Sequence, residues 1–214
     1  MSIDIPAAPP SDSVLAPCRV PRALEPRHAG MRMTPAEYDA VEHADENYRF
    51  ELWRGVLLVA PPPGIGERGP NDWLAQRLRN YAATEAGKSL DYTASEQDIE
   101  IPDGRRRADR AVWCGLGRVP DFRRDVPQIA VEFVSAGTRD RHRDFVEKRA
   151  EYLKAGVKEY WIIDRFRRTV TLCTTPEGDD GLRILKAGAT LETPLLPGFR
   201  LVIDELLAEI DRVS

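Results

Sequence analysis

Gln128-Ile-Ala-Val-Glu-Phe-Val-Ser135 is an apolar run broken by one acid, followed by DFVEKRAEYLKAG (residues 144–156) and KEYWIID (residues 158–164). A near-continuous Val/Ile/Phe run reads as a strand buried on both faces, the usual condition of a strand inside a sheet covered by helices. From Asp140 to Ala155 the inward-facing candidates Phe145, Ala150, Tyr152 and Leu153 predict a helix, and Gly156 ends it. Lys158–Asp164 then reads as a second buried strand, and Arg165–Arg168 turns the chain into a partner strand, VTLCT. Strand, helix and strand in this order predict a mixed α/β fold.

Working outward, Thr34-Pro35-Ala36-Glu37 has a capping residue, a proline suited to the first helical position and a capping-box glutamate, which predicts a short helix to about His43. Tyr48–Ala60 predicts two strands turning at Arg54-Gly55, with Tyr48, Phe50 and Leu52 on one face and Arg49, Glu51 and Trp53 on the other. PPPGIGERGP reads as a loop, and Leu74, Leu78 and Tyr81 give a helix from Asn71 to about Glu85. An extended stretch near Gln97–Ile101, a Pro102-Asp103-Gly104 turn and a strand near Ala108–Cys114 come next. Short strands near Leu182–Leu185 and Phe199–Ile203 and a terminal helix from Asp204 close the chain. Residues 1–30, rich in Ala, Pro and Ser without periodicity, read as a disordered tail dispensable for folding, ahead of one domain over residues 31–214.

The 214 residues suffice for a core without disulfides or structural metal. Cys18, Cys114 and Cys173 are odd in number and far apart, and His28, His43 and His142 supply no zinc spacing. No apolar run reaches the ~18 residues of a membrane span, so no membrane partner is expected. The start MSIDIPAAPPSDSVLAP lacks the charged leader and apolar stretch of a signal peptide, and the expected location is cytoplasmic. The net charge is −4, yet seven arginines stand against two acids between Gly104 and Arg124. That local excess makes Arg105, Arg106 and Arg107, read as a loop before Asp109, candidates for contacts to a nucleic acid, with a solvated surface as the plainer alternative.

Glu51, Asp109 and Glu132 each lie in an apolar strand. A carboxylate there carries a large desolvation cost unless it is paired or binds a metal. Hard cations such as Mg²⁺ accept a few carboxylates and keep several waters, acidify a water and stabilise charge on phosphate. Lys148 follows on the next helix, with Asp144 one turn before it and Tyr152 one turn after, placed to fold back beside Glu132 and orient an attacking water. The alternative is a surface lysine paired with Asp144.

The ordered set YRFELWRGVLLVAPPP, RADRAV, PQIAVEFVS and DFVEKRAEYLKAGVKEYWIID resembles the Uma-family restriction endonucleases of the PD-(D/E)XK nuclease superfamily, over about Thr34 to Thr174. The resemblance implies a restriction-endonuclease-like core, with a mixed central β-sheet flanked by helices and an N-terminal β-hairpin. It implies a metal-dependent DNA endonuclease, with RNA left open as substrate. Asp109 matches the aspartate of the PD half-motif, Glu132 the motif glutamate, Lys148 a motif lysine shifted onto the following helix, and Glu51 the acid of the hairpin. Mg²⁺ or Mn²⁺ would be held by Asp109 and Glu132, with Glu51 as an outer or second-metal ligand. A homodimer suits cutting of both strands.

Three positions depart from the family pattern: Ala108 stands in place of proline, Arg54 in place of the hairpin's second acid, and Asn71 where many members carry histidine. If that histidine assists phosphate binding or proton transfer, this member is weakened. A nucleic-acid-binding module of the same fold, its catalysis lost, is the second reading. A glycoside hydrolase with paired carboxylates is the third, disfavoured by an aromatic share of 7%.

Overall fold

The stretch Ile129–Phe133 lies inside an 8-stranded mixed sheet in the computed structural model, which describes residues 20–137, 141–175, 178 and 180–213. The chain runs through β1 (Ala23–Leu24), α1 (Pro35–Asp39), β2 (His43–Ala44), β3 (Arg49–Trp53), β4 (Val56–Ala60), α2 (Ile65–Ala82), β5 (Leu90–Ile101), β6 (Gly104–Cys114) and β7 (Ile129–Phe133). Next is α3, a π-helical turn Arg143–Lys148 that runs straight into α-helix Arg149–Lys154. The rest is β8 (Glu159–Asp164), β9 (Thr169–Cys173), β10 (Leu182–Leu185), β11 (Thr190–Leu191), β12 (Leu201–Val202) and α4 (Ile203–Arg212).

β7 alternates as a doubly covered strand must. Ile129, Val131 and Phe133 pack with Leu74 and Leu78 of α2 and with Leu206 and Ile210 of α4. Ala130 and Val134 pack with Tyr152 of α3. The crossover through α3 lets β8 pair with β7 in parallel, whereas the other pairings of the large sheet are antiparallel. β6 is the longest-shared strand. β5 pairs along the whole of one edge, while the other edge takes β7 at Arg110–Val112 and β3 at Arg105. The sheet is therefore forked, and residues 106–109 of β6 face the gap between β3 and β7. Gly104 permits the fork: a Cβ there would stand 1.9 Å from the Leu52 carbonyl oxygen of β3.

The hairpin and the capping box are as the sequence predicts, with the Glu37 N–H donating to Thr34 Oγ1. Three boundaries differ. Helix α1 stops at Asp39, because His43–Ala44 leaves to pair in parallel with Ala23–Leu24. Helix α2 starts at Ile65, six residues before Asn71. Its glycines and Pro70 look like loop residues, yet Gly66 is there for packing: a Cβ on it would meet an Arg165 guanidinium nitrogen at 1.9 Å. The expected tail over residues 1–30 needs correction at its end. Residues 1–19 lie outside the described residues, but Leu24 is buried in a small core with Met33, Phe50, Leu52 and Leu57. Leu24→Ala is expected to cost about 2–5 kcal/mol, read as a lowered denaturant midpoint. No change would return this segment to the tail. Among the described residues no helix is long and apolar enough to cross a membrane.

Candidate active site

The fork brings polar side chains onto main-chain groups that no neighbouring strand reaches. Lys148 of α3 donates to the Arg107 carbonyl at 2.8 Å. Asn71 of α2 donates to the Asp109 carbonyl at 2.8 Å. The Phe133 N–H donates to Asp109 Oδ2 at 2.7 Å. One step beyond the Arg110–Val131 pair, Asp109 and Glu132 stand opposite each other on facing strands, where side chains share a face.

Strand alternation aims Arg49, Glu51 and Trp53 of β3 away from the core that holds Phe50 and Leu52, toward these groups. Glu51 pairs with Lys148 Nζ at 3.2 Å and accepts from Arg106 at 3.0 Å. Glu132 Oε1 accepts from Lys148 Nζ at 2.8 Å and from the Tyr152 hydroxyl at 3.0 Å. Lys148 is 1% exposed and Glu132 3%. The π turn of α3 puts Lys148 and Asp144 together on its buried side, and such widened turns recur at functional sites. Arg49 donates to Asp109 Oδ1 at 2.8 Å and pairs with Glu96 at 2.8 Å. Thus Glu51, Glu132 and Lys148 are joined by direct contacts, and Asp109 lies beside them under Arg49.

Burial and neighbouring charge oppose each other at this site. It raises the Glu51 carboxyl, but the Lys148 and Arg106 cations outweigh it and hold the group at about 2. Burial pushes Glu132 well above the usual carboxylate range against the pull of Lys148, with Asp109 and Asp144 adding to the rise. Burial would lower Lys148, yet the Glu132, Glu51 and Asp144 carboxylates win and hold it above its ordinary value. Lys148 is therefore an ammonium at neutral pH, a donor and not a base. The Glu51 shift has a defined pH window. A carboxyl depressed from 4.5 to about 2 contributes on the order of 3 kcal/mol above pH 4.5 that is lost as pH falls through 2. Glu51→Gln should be less stable than the parent by that order at pH 6, and the gap should close toward pH 2. A gap constant across that range would refute the shift.

The arginine triplet requires a correction. Arg105, Arg106 and Arg107 lie in strand β6, not in a loop. Arg106 is 0% exposed, donates to Glu51, Glu147 and Glu151, and lies 5.1 Å over the Trp53 ring. Arg105 grips Asp39 with two nitrogens at 2.6 and 3.0 Å, and Arg107 grips Asp98 at 2.7 and 3.1 Å. A polar run has no apolar periodicity to reveal that it is a strand.

Asn71, the position at which the resemblance led to an expected histidine, is a brace. It donates to the Asp109 carbonyl and accepts from Arg110 Nε at 2.7 Å, so it fixes the backbone that carries Asp109. Arg49 and Glu96 are site residues that the sequence reading did not select. Arg49 shares a strand face with Glu51, a readable signal. Glu96 has left-handed backbone (φ 53°), which the sequence does not announce.

As a donor set for a hard cation, Asp109 and Glu132 fit in kind, since Mg²⁺ is commonly held by one or two carboxylates and waters. The expected third ligand, Glu51, is engaged by Lys148 and Arg106. Among the described residues, no three His, Cys, Asp or Glu side chains are gathered as an ion site.

The mixed sheet flanked by helices is of the restriction-endonuclease-like class to which the family match assigns the chain. The chain is a member of the Uma2 family, described as "Putative restriction endonuclease", whose model matches residues 35–204. Its fold resembles the crystal structure of a "putative nuclease belonging to DUF820" from Anabaena variabilis, with a TM-score of 0.65 and 14% identity over 83% of this chain and 99% of that one. No curated protein matches the chain.

Proposed function

We propose that the protein is a metal-dependent endonuclease that hydrolyses phosphodiester bonds in DNA. The carrying observation is the facing pair Asp109 and Glu132 with the Lys148 ammonium bonded to Glu132. Held by Asp109 and Glu132, Mg²⁺ or Mn²⁺ would supply an acidified water and charge stabilisation for the phosphate. Lys148 holds its proton at Nζ and presents positive charge where negative charge develops on the phosphate oxygens. Tyr152 and Glu51 fix that ammonium and its partner in place. Asn71 keeps the Asp109 backbone from shifting in the fork.

A second reading, a nucleic-acid-binding module without catalysis, draws support from Asp109, both of whose oxygens are engaged internally. Supercoiled plasmid incubated with the protein and Mg²⁺ separates the two. Nicking or linearisation that chelator abolishes, and that Asp109→Asn and Glu132→Gln reduce at least about 10²-fold, is expected. Retention of plasmid without cleavage would favour the binding module; cleavage that survives chelator would sink metal dependence. A parallel RNA substrate tests the choice of DNA.

A further inference from the structure

The metal reading leaves one contact unexplained. Asp109 is 4% exposed, its Oδ2 takes the Phe133 N–H, and its Oδ1 takes Arg49. The backbone N–H is fixed by strand β7; the guanidinium, on a long side chain, is not. A divalent ion at Asp109 and a guanidinium on the same carboxylate repel each other, most strongly where water is scarce. One of the two must leave, and only Arg49 can.

Its other end shows where it would go. Arg49 Nε already pairs with Glu96 at 2.8 Å. Glu96 lies across the β5–β6 hairpin from Asp109, between the Ser95–Arg110 and Gln97–Ala108 pairs. It holds a left-handed backbone (φ 53°), uncommon for a non-glycine residue. Its side chain is about a third exposed, against 5% for Asp109, so the second station is the wetter one.

We propose that Arg49 is a displaceable counter-cation. It closes the ion position at Asp109 while the site is empty and moves fully onto Glu96 when a divalent ion enters. This rests on the metal-dependent reading and adds a competitor for the ion. In the empty site the guanidinium offsets the Asp109 charge that faces Glu132. Arg49 and Glu96 are positioning residues in this scheme, and ion affinity must depend on both with opposite signs.

Mn²⁺ binding, followed by the loss of the free-ion paramagnetic resonance signal without nucleic acid, tests it on the full chain. Arg49→Gln is expected to bind Mn²⁺ at least about tenfold more tightly than the parent, because the competing charge is gone. Glu96→Gln is expected to bind several-fold more weakly, because Arg49 loses its second station. In the double variant Glu96→Gln should have no further effect, since it acts only through Arg49. A penalty from Glu96→Gln that persists in the double variant would make it a direct electrostatic effect and overturn the proposal. Equal affinity in the parent and both single variants would overturn it while leaving metal dependence standing. Failure of every variant and the parent to bind Mn²⁺ would sink the metal reading itself. Should Arg49→Gln fail to fold, Glu96→Gln alone decides: unchanged affinity refutes the proposal.

Discussion

Lys148→Ala is expected to lose about 3–5 kcal/mol of stability and, in the fraction that folds, to cleave ~10²–10³-fold more slowly. The two losses have one origin. Lys148 Nζ donates to the Arg107 carbonyl and to Glu132 Oε1, and pairs with Glu51 Oε1, at 2.8, 2.8 and 3.2 Å. Truncation leaves two buried carboxylates and one strand carbonyl without their partner. A surface lysine paired with Asp144 would cost no more than about half a kcal/mol, but a residue 1% exposed is no surface lysine. Lys154, exposed on the same helix, is the comparison, and Lys154→Ala should stay within that half kcal/mol. Folding and catalysis can be separated. Lys148→Met combined with Glu132→Gln removes both members of that buried pair and should recover part of the stability, while the Glu51 and Arg107 contacts stay lost. It should recover no cleavage. Equal stability of Lys148→Ala and Lys154→Ala in urea would show that the Glu132 contact carries nothing.

How much of this was readable depends on whether a residue's setting is periodic. The β7 strand, the α3 crossover and the β3–β4 hairpin were legible because their apolar residues repeat at the period of the element. Glu51 and Glu132 stood out for a related reason, since acids in apolar strands are costly unless paired, whereas Lys148, flanked by Glu147 and Arg149, stood out only by its place on the following helix and by the family resemblance. The fork of β6 was not legible. It arises from two strands sharing one edge, a long-range pairing with no local signature. Whatever the fork decides was therefore hidden as well. Asn71 reads as a substitution at a histidine position, but its two bonds show a brace between α2 and β6. Glu96 falls just before the extended stretch read near Gln97–Ile101, and only its backbone conformation and Arg49 mark it. The first turns of α2 were hidden by Gly66 and Pro70, whose ordinary meaning as loop residues is overridden by the close approach of Arg165.

Arg106 shows the same gap between local composition and tertiary setting, and it gives the second large expected effect. In the sequence it is the middle of three arginines, equal to its neighbours as a phosphate contact. In the fold its guanidinium is fully buried, bonded to Glu51, Glu147 and Glu151 and stacked on Trp53, which itself donates to Glu151 at 2.8 Å. One cation thus ties β3 and β6 to α3, the helix that carries Lys148. Burial opposes its charge, and the Glu51 and Glu151 carboxylates overcome that and raise its affinity for the proton. Arg106→Ala strands three acids and is expected to cost about 3–5 kcal/mol, a fall in Tm of roughly 6–20 °C for a chain of this size. Arg105→Ala and Arg107→Ala remove pairs with half-exposed or partly exposed aspartates and should cost no more than about 1 kcal/mol each. The salt dependence of nucleic-acid binding makes the distinction sharper. Each phosphate contact contributes about −0.9 to the log–log slope, and a guanidinium with no exposed surface contributes none. Arg106→Ala should therefore lower Tm and leave the slope unchanged in the folded fraction. A flattened slope at unaltered Tm would mean that Arg106 reaches phosphate after all and that the buried network does not hold it.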